Sequence, residues 1–123
     1  MTRQLGSFLA AALVAAFPLA AQAGDVAAGK AKFDLFCASC HGPGGKGDGP
    51  AAPKDPLPRD FTKGDFKYDA DKDGKAGSDA DLTLIIKNGA AAYGGSPLMV
   101  GWGAALQEAD VQNIVAFVRS LKQ

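Results

Sequence analysis

Cys37-Ala38-Ser39-Cys40-His41 is the stretch on which the fold of this chain turns. Two cysteines three apart with a histidine directly after them form the pattern of a c-type haem attachment. Carried near the end of a helix, the two thiols can each reach one haem vinyl group and form thioethers. The adjacent imidazole then lies under the iron. Cys37 and Cys40 are the only cysteines of the chain, and His41 is its only histidine. That excludes a bis-histidine haem, and also a zinc site built from four Cys or His ligands within one chain. A thioredoxin-like redox pair would need a strand–helix–strand pattern, which the sequence lacks. A structural disulfide would leave the histidine without a part. The motif points to one covalent haem c.

Working outward, the 123 residues suit one domain. Thirteen basic side chains balance thirteen acidic ones, so there is no basic field for nucleic acid. Sixteen glycines and seven prolines indicate that much of the chain is loop. A loop-rich domain of this length has difficulty burying enough apolar surface by itself. A haem would give those loops an apolar body to wrap.

Residues 1–23 are of a different character. Arg3 is the only charge before an apolar run from Leu5 to Ala21, and Ala21-Gln22-Ala23 ahead of Gly24 is an A-x-A cleavage pattern. The run is interrupted at Pro18 and is short for a membrane span. We therefore expect residues 1–23 to be a cleaved signal peptide and 24–123 the domain, exported to the periplasm without membrane insertion.

After Gly24, apolar positions at Val26, Gly29, Phe33 and Phe36/Cys37 recur at helical spacing, and Asp25 suits a helix N-terminus. This predicts a first helix over about 25–39 that delivers the cysteines on its last turns. A glycine on the apolar stripe, Gly29, makes sense where another helix crosses closely. Ser78 with Asp81 three residues on resembles a capping box, and Leu82, Ile85 and Ile86 give a short helix over 79–88 that stops at Gly89. Val111, Ile114, Val115, Val118 and Leu121 predict a final helix over 107–122. No stretch alternates with period two, so no sheet is expected and the fold class is all-α.

Between the helices, Gly42 to Pro58 cannot propagate a helix or a strand ladder. Directly after the histidine it is expected to pack at the haem edge and orient the imidazole, with the backbone near Gly49-Pro50 accepting the ring N–H. Phe61, Phe66 and Tyr68 are expected to fill the core beside the haem. Asp69-Ala70-Asp71-Lys72-Asp73-Gly74 opens like an EF-hand loop, so Asp69, Asp71 and Asp73 are candidate Ca²⁺ ligands. The match then decays, because position 12 of that loop is Ala80 where a bidentate Glu is required. A solvated acidic turn is the competing reading.

With Met1 removed, Met99 is the one methionine left, in the loop Gly95-Ser96-Pro97-Leu98-Met99-Val100-Gly101-Trp102. A thioether is a soft ligand for haem iron, and Met/His ligation raises the reduction potential. A methionine in a Pro/Gly loop rather than on a helix face favours ligation over core filling. Cys37, Cys40, His41 and Met99 are therefore the candidate cofactor-binding residues, with His41 and Met99 as ligands of the iron. With both axial positions filled by protein, no site is open to substrate and the chemistry reduces to one-electron exchange.

Taken together, the attachment motif, the Gly29/Phe33 face, Gly49-Pro50, Met99 followed by Trp102 and a terminal helix carrying Phe117 resemble a small class I (monohaem) cytochrome c of bacterial periplasmic type. The resemblance covers residues 24–123. It implies that the first and last helices cross near a right angle with Gly29 against Phe117, that Cys37 and Cys40 hold the haem, and that His41 and Met99 are its proximal and distal ligands. Leu98, standing between Pro97 and Met99, and the acidic loop 69–81 depart from the family's minimal pattern. The function implied is that of an electron carrier rather than an enzyme. Its donor would be a dehydrogenase or quinol-oxidising complex and its acceptor an oxidase or reductase. The alternatives are a haem subunit of a larger oxidoreductase, or a haem enzyme or gas-binding protein with an open sixth position.

Overall fold

The computed structural model describes residues 12–16 and 24–123. The cleavage pattern at Ala21–Ala23 and most of the expected signal peptide lie outside the described residues. Among those described there are four α-helices and no strand: α1 (Val26–Phe36), α2 (Ala38–His41), α3 (Asp79–Asn88) and α4 (Glu108–Ser120). Single 3₁₀ turns at Phe61–Lys63 and Ala90–Tyr93 interrupt the loops. The all-α expectation holds, and among the described residues no helix is long and apolar enough to cross a membrane.

α1 and α3 begin where local chemistry supplies partners for their free amides. The Asp25 carboxylate accepts from Ala28 N–H (3.0 Å). At α3, the Ser78 hydroxyl accepts from Asp81 N–H while the Asp81 carboxylate accepts from Ser78 N–H, a complete capping box. The predicted single helix over 25–39 is instead two. At Cys37 the backbone leaves helical geometry (φ −121°) and restarts as the one-turn α2. The thiols therefore stand on a corner rather than on a continuous helix.

The core forms where α1 crosses α4. Phe33, Val111, Ile114, Val115, Phe117 and Val118 are buried there, joined by Leu82 and Ile86 of α3 and by Leu106. Phe33 meets Phe117 edge to face at 4.9 Å between ring centroids, the arrangement aromatic quadrupoles prefer. Gly29 is the contact point of the two helices. A Cβ there would overlap the Asn113 carbonyl and reach within 3.0 Å of Phe117 Cβ. The crossing is fastened at its edges by Asp25 N–H donating to Asn113 Oδ1 (2.8 Å) and by Lys32 with Asp110 (3.5 Å).

Residues 42–52 fold back behind α2. Gly47 N–H donates to His41 O, Gly49 N–H to Cys40 O and Ala51 N–H to Ser39 O, at 2.8–3.0 Å. Gly49 presses so closely on the Ala38 and Ser39 carbonyls that no side chain fits. On the far side, the loop after α3 is laced to that helix, with Trp102 N–H donating to Ile86 O (2.8 Å) and Ala90 N–H to Met99 O (3.0 Å).

Candidate haem cavity

A cavity of about 660 Å³ opens between α1–α2, α3 and the two long loops. Cys37, Cys40, His41 and Met99 all line it, so the four candidate residues named from the sequence are brought to one space. Phe33, Phe36, Leu82, Ile85, Ile86, Trp102, Ile114 and Val118 make its walls mainly apolar, and Lys46, Arg59, Lys63 and Lys67 give it cationic points.

The cysteines are unpaired and half-buried. Burial pushes the Cys37 thiol up to about 11. Reactive redox cysteines have depressed values, so this environment is the opposite of a thioredoxin-like pair. His41 is 8% exposed. Burial lowers its pKa, against the opposing effect of a hydrogen bond to the Arg59 carbonyl, so the neutral, ligand-competent imidazole is favoured. That carbonyl lies 3.3 Å from Nδ1, which leaves Nε2 as the nitrogen available to an iron.

The acceptor is not the one expected. The Gly49 carbonyl is engaged behind α2, where it accepts from Ala52 N–H (3.0 Å), whereas the His41 ring faces the cavity, and the segment that reaches it there is the one carrying Arg59. Phe61 lies face to face with the imidazole at 4.4 Å and 20°. Phe66 packs on Phe61 at 5.9 Å; of the three aromatics expected to fill the core beside the haem, Phe61 and Phe66 pack against the core, and Tyr68 lines the cavity without joining it. Nothing in the spacing of Arg59 or Phe61 announced these contacts, because they depend on where an irregular loop returns.

The acidic loop is organised by a residue the EF-hand comparison had only as a flank. Asp81 is wholly buried (0% exposed) and accepts from Ala70 and Asp71 N–H with one oxygen and from Ser78 N–H with the other. Burial alone would raise its carboxyl, but these bonds and the Ser78 hydroxyl outweigh that and hold it at about 2. Asp69, Asp71 and Asp81, rather than Asp73, bring carboxylate oxygens within 4.8 Å of one another. Asp69, Asp71 and Asp73 also accept from the turn's own amides at Asp73, Gly74 and Lys75.

The sequence profile of the Cytochrome c family matches residues 26–122. The chain belongs to the cytochrome c family. Cytochrome c-554(547) of Halothiobacillus neapolitanus is 35% identical over 102 residues, covering 81% of this chain and all of that one. The CcoP subunit of a cbb3-type cytochrome c oxidase from Azospirillum sp. is 32% identical over 108 residues, covering 83% of this chain and 30% of the subunit. A chain of the reducing HAO-like protein complex of Kuenenia stuttgartiensis superposes with a TM-score of 0.64 at 28% identity, covering 82% of this chain and 44% of that one. The chain thus spans less than half of the latter two and the whole of the first. Membership of the cytochrome c family brings covalent haem c and an electron-transfer role, and the apolar cavity beside two free thiols and a neutral imidazole fits that group.

Proposed function

We propose that residues 24–123 form a monohaem cytochrome c domain that carries single electrons between redox proteins in the periplasm, after removal of residues 1–23. The observation that carries this reading is the convergence of Cys37, Cys40, His41 and Met99 on one mainly apolar cavity. Cys37 and Cys40 would hold the haem, with His41 Nε2 and the Met99 sulfur as its axial ligands. Lys46, Arg59, Lys63 and Lys67 offer cations to the two propionate groups. Haem iron so ligated supplies one-electron exchange at a raised potential. The protein's part is to keep Nδ1 engaged by Arg59 O, to hold Met99 through its backbone bonds to Ala90 and Ser96, and to exclude water with the α1/α4 core. With both axial positions taken, the domain has no place for a substrate and is a carrier rather than an enzyme. Donors of the dehydrogenase or quinol-oxidising kind and acceptors of the oxidase or reductase kind suit this role.

A second reading has its own support. The match to a CcoP subunit, of which the chain spans 30%, favours a domain that serves as the haem module of a larger oxidoreductase. Co-purification with a partner at physiological salt is the outcome that selects it.

The acidic turn needs no Ca²⁺ on this reading, since its carboxylates are already engaged by backbone amides. The deciding experiment is a visible spectrum of the purified protein, oxidised and reduced, with Met99→Ala beside it. Haem c bands and a weak near-infrared sulfur-to-iron band are expected in the wild type. Met99→Ala should lose that band and bind added cyanide or carbon monoxide. A near-infrared band that survives the substitution would refute Met99 as the ligand, and a colourless protein from a host competent in haem attachment would refute the whole reading.

A further inference from the structure

Electron transfer by the haem leaves two parts of the molecule without a role, the acidic turn and the last residues of the chain. They meet at Arg119. Its Nε donates to Asp79 Oδ1 (2.7 Å) at the start of α3, and its Nη2 donates to the Gly77 carbonyl. Gripped from two sides, the guanidinium carbon lies 5.0 Å from the centroid of the Phe66 ring. Phe66 lies 5.9 Å from Phe61 at an interplanar angle of 30°, and Phe61 lies 4.4 Å from the His41 imidazole at 20°. The four groups form a continuous column, with a cation at its outer end and the imidazole at its inner end.

The loop that carries the two phenylalanines is held from the same quarter. Gln123 N–H donates to Thr62 O (3.0 Å). A Cβ on Gly64 would come within 2.7 Å of the Lys122 side chain, so that stem lies directly over the loop. Asp60 accepts from both the backbone and the hydroxyl of Thr62, which fixes the turn at Phe61.

We propose that Arg119 is a positioning residue for the imidazole of His41, acting through Phe66 and Phe61, and that the turn over residues 69–79 exists to hold Arg119 in that place. This rests on the reading of His41 as the proximal ligand. The physical need is plain. The imidazole is free to turn about its Cβ–Cγ bond, where the torsional wells are broad, and its one hydrogen bond, at 3.3 Å, is long. A ring stacked on its face restricts that rotation. A cation over the next ring but one keeps the stack closed by its attraction to the aromatic face. The plane of an axial imidazole sets how the iron's d orbitals split, so the ferric electron paramagnetic resonance signal reports it directly.

The test uses the haem-loaded full chain and three variants. Arg119→Lys keeps the charge but loses the two-sided grip, and Phe66→Leu removes the aromatic seat. Both are expected to broaden or split the low-spin ferric signal and to shift its largest g value. Arg119→Met is expected to do the same and in addition to lower the reduction potential, because a positive charge that favours the less positive ferrous state is gone. If Arg119 only braced the fold, all three variants would melt earlier while the ferric signal kept its wild-type width and g values, and the proposal would be overturned. A wild type without haem would overturn the proximal-ligand reading and this one with it. A haem-loaded Arg119→Lys protein with an unchanged ferric signal would overturn this one alone.

Discussion

Replacing Gly29 by alanine sets two effects of opposite sign against each other. Within a helix, alanine is favoured over glycine by about 1 kcal/mol, because it has less backbone freedom to lose. If α1 merely lay on the surface at this point, Gly29→Ala would stabilise the protein by that amount. Instead the new methyl group would overlap the Asn113 carbonyl and crowd Phe117 Cβ at 3.0 Å. The obstructing atoms are helix backbone with no flexible end to give way, so the two helices must part. Overpacking of this kind costs about 1–3 kcal/mol. Parting also loosens the Phe33–Phe117 pair, worth about 0.5–1.5 kcal/mol beyond its buried area. The unfavourable terms win, and the net loss expected is about 0.5–3.5 kcal/mol once the helix preference is set against them. For a domain of this size each kcal/mol moves the melting temperature by about 4–8 °C, so a fall of about 2–28 °C is expected. Far-UV circular dichroism of the thermal transition, together with guanidinium unfolding, measures it. A melting temperature equal to or above that of the wild type would show that α1 and α4 do not meet at Gly29, and the reading of the core would fail.

Two further outcomes follow from the acidic turn. Asp81→Asn places an amide N–H₂ where the carboxylate accepts three backbone N–H bonds, so the urea midpoint at pH 7 should fall well below that of the wild type. Because the folded Asp81 carboxyl is held at about 2, below its unfolded value near ~4, its contribution is complete above that unfolded value and is lost as pH falls toward 2. The gap between Asp81→Asn and wild type should therefore narrow over that interval, and a gap that stays constant down to pH 2 would refute the role given to the carboxylate. Calorimetric titration with Ca²⁺ at physiological salt should give no heat of binding, since the loop amides already engage Asp69, Asp71, Asp73 and Asp81. Saturable heat removed by Asp69→Asn would refute that.

What the sequence made legible was local or periodic. The limits of α3 at Asp79 and Asn88 could be named because the capping box, the apolar face and the terminal glycine all lie within a dozen residues. Gly29 could be marked as a crossing point because a glycine on an apolar helix stripe has few other uses. The pentapeptide announced the cavity because its chemistry requires adjacent residues. The break at Cys37 was not legible, since Phe36, Cys37 and Ala38 keep helical spacing on both sides of it and only the φ of one residue changes. The partner of His41 was misplaced for a related reason. Residues 42–58 carry so many glycines and prolines that several return paths are open, and the one taken brings Arg59, eighteen residues on, to the ring. Arg119 was invisible in the same way, because its partners at Phe66, Gly77 and Asp79 lie about forty to fifty residues earlier along loops without period.

These non-local contacts share one support. α1 crosses α4 at Gly29 and Asn113, and α3 is joined to α4 through Lys87–Glu108 and Arg119–Asp79. The loop bearing Met99 is hydrogen-bonded to the C-terminal end of α3, and the loop bearing Phe61 and Arg59 is fastened by residues 122 and 123 beyond α4. The loop that would carry the Met99 ligand and the loop that packs on the His41 ring are thus both referred to the same helix. A one-electron carrier gains speed when its ligands stand in nearly the same place before and after the electron arrives, and a site held within narrow limits by its surroundings meets that demand. In a domain with this much loop, rigidity at the iron cannot come from the loops themselves. It comes from tying each of them, at several points, to the one buried helix face that α1 also grips.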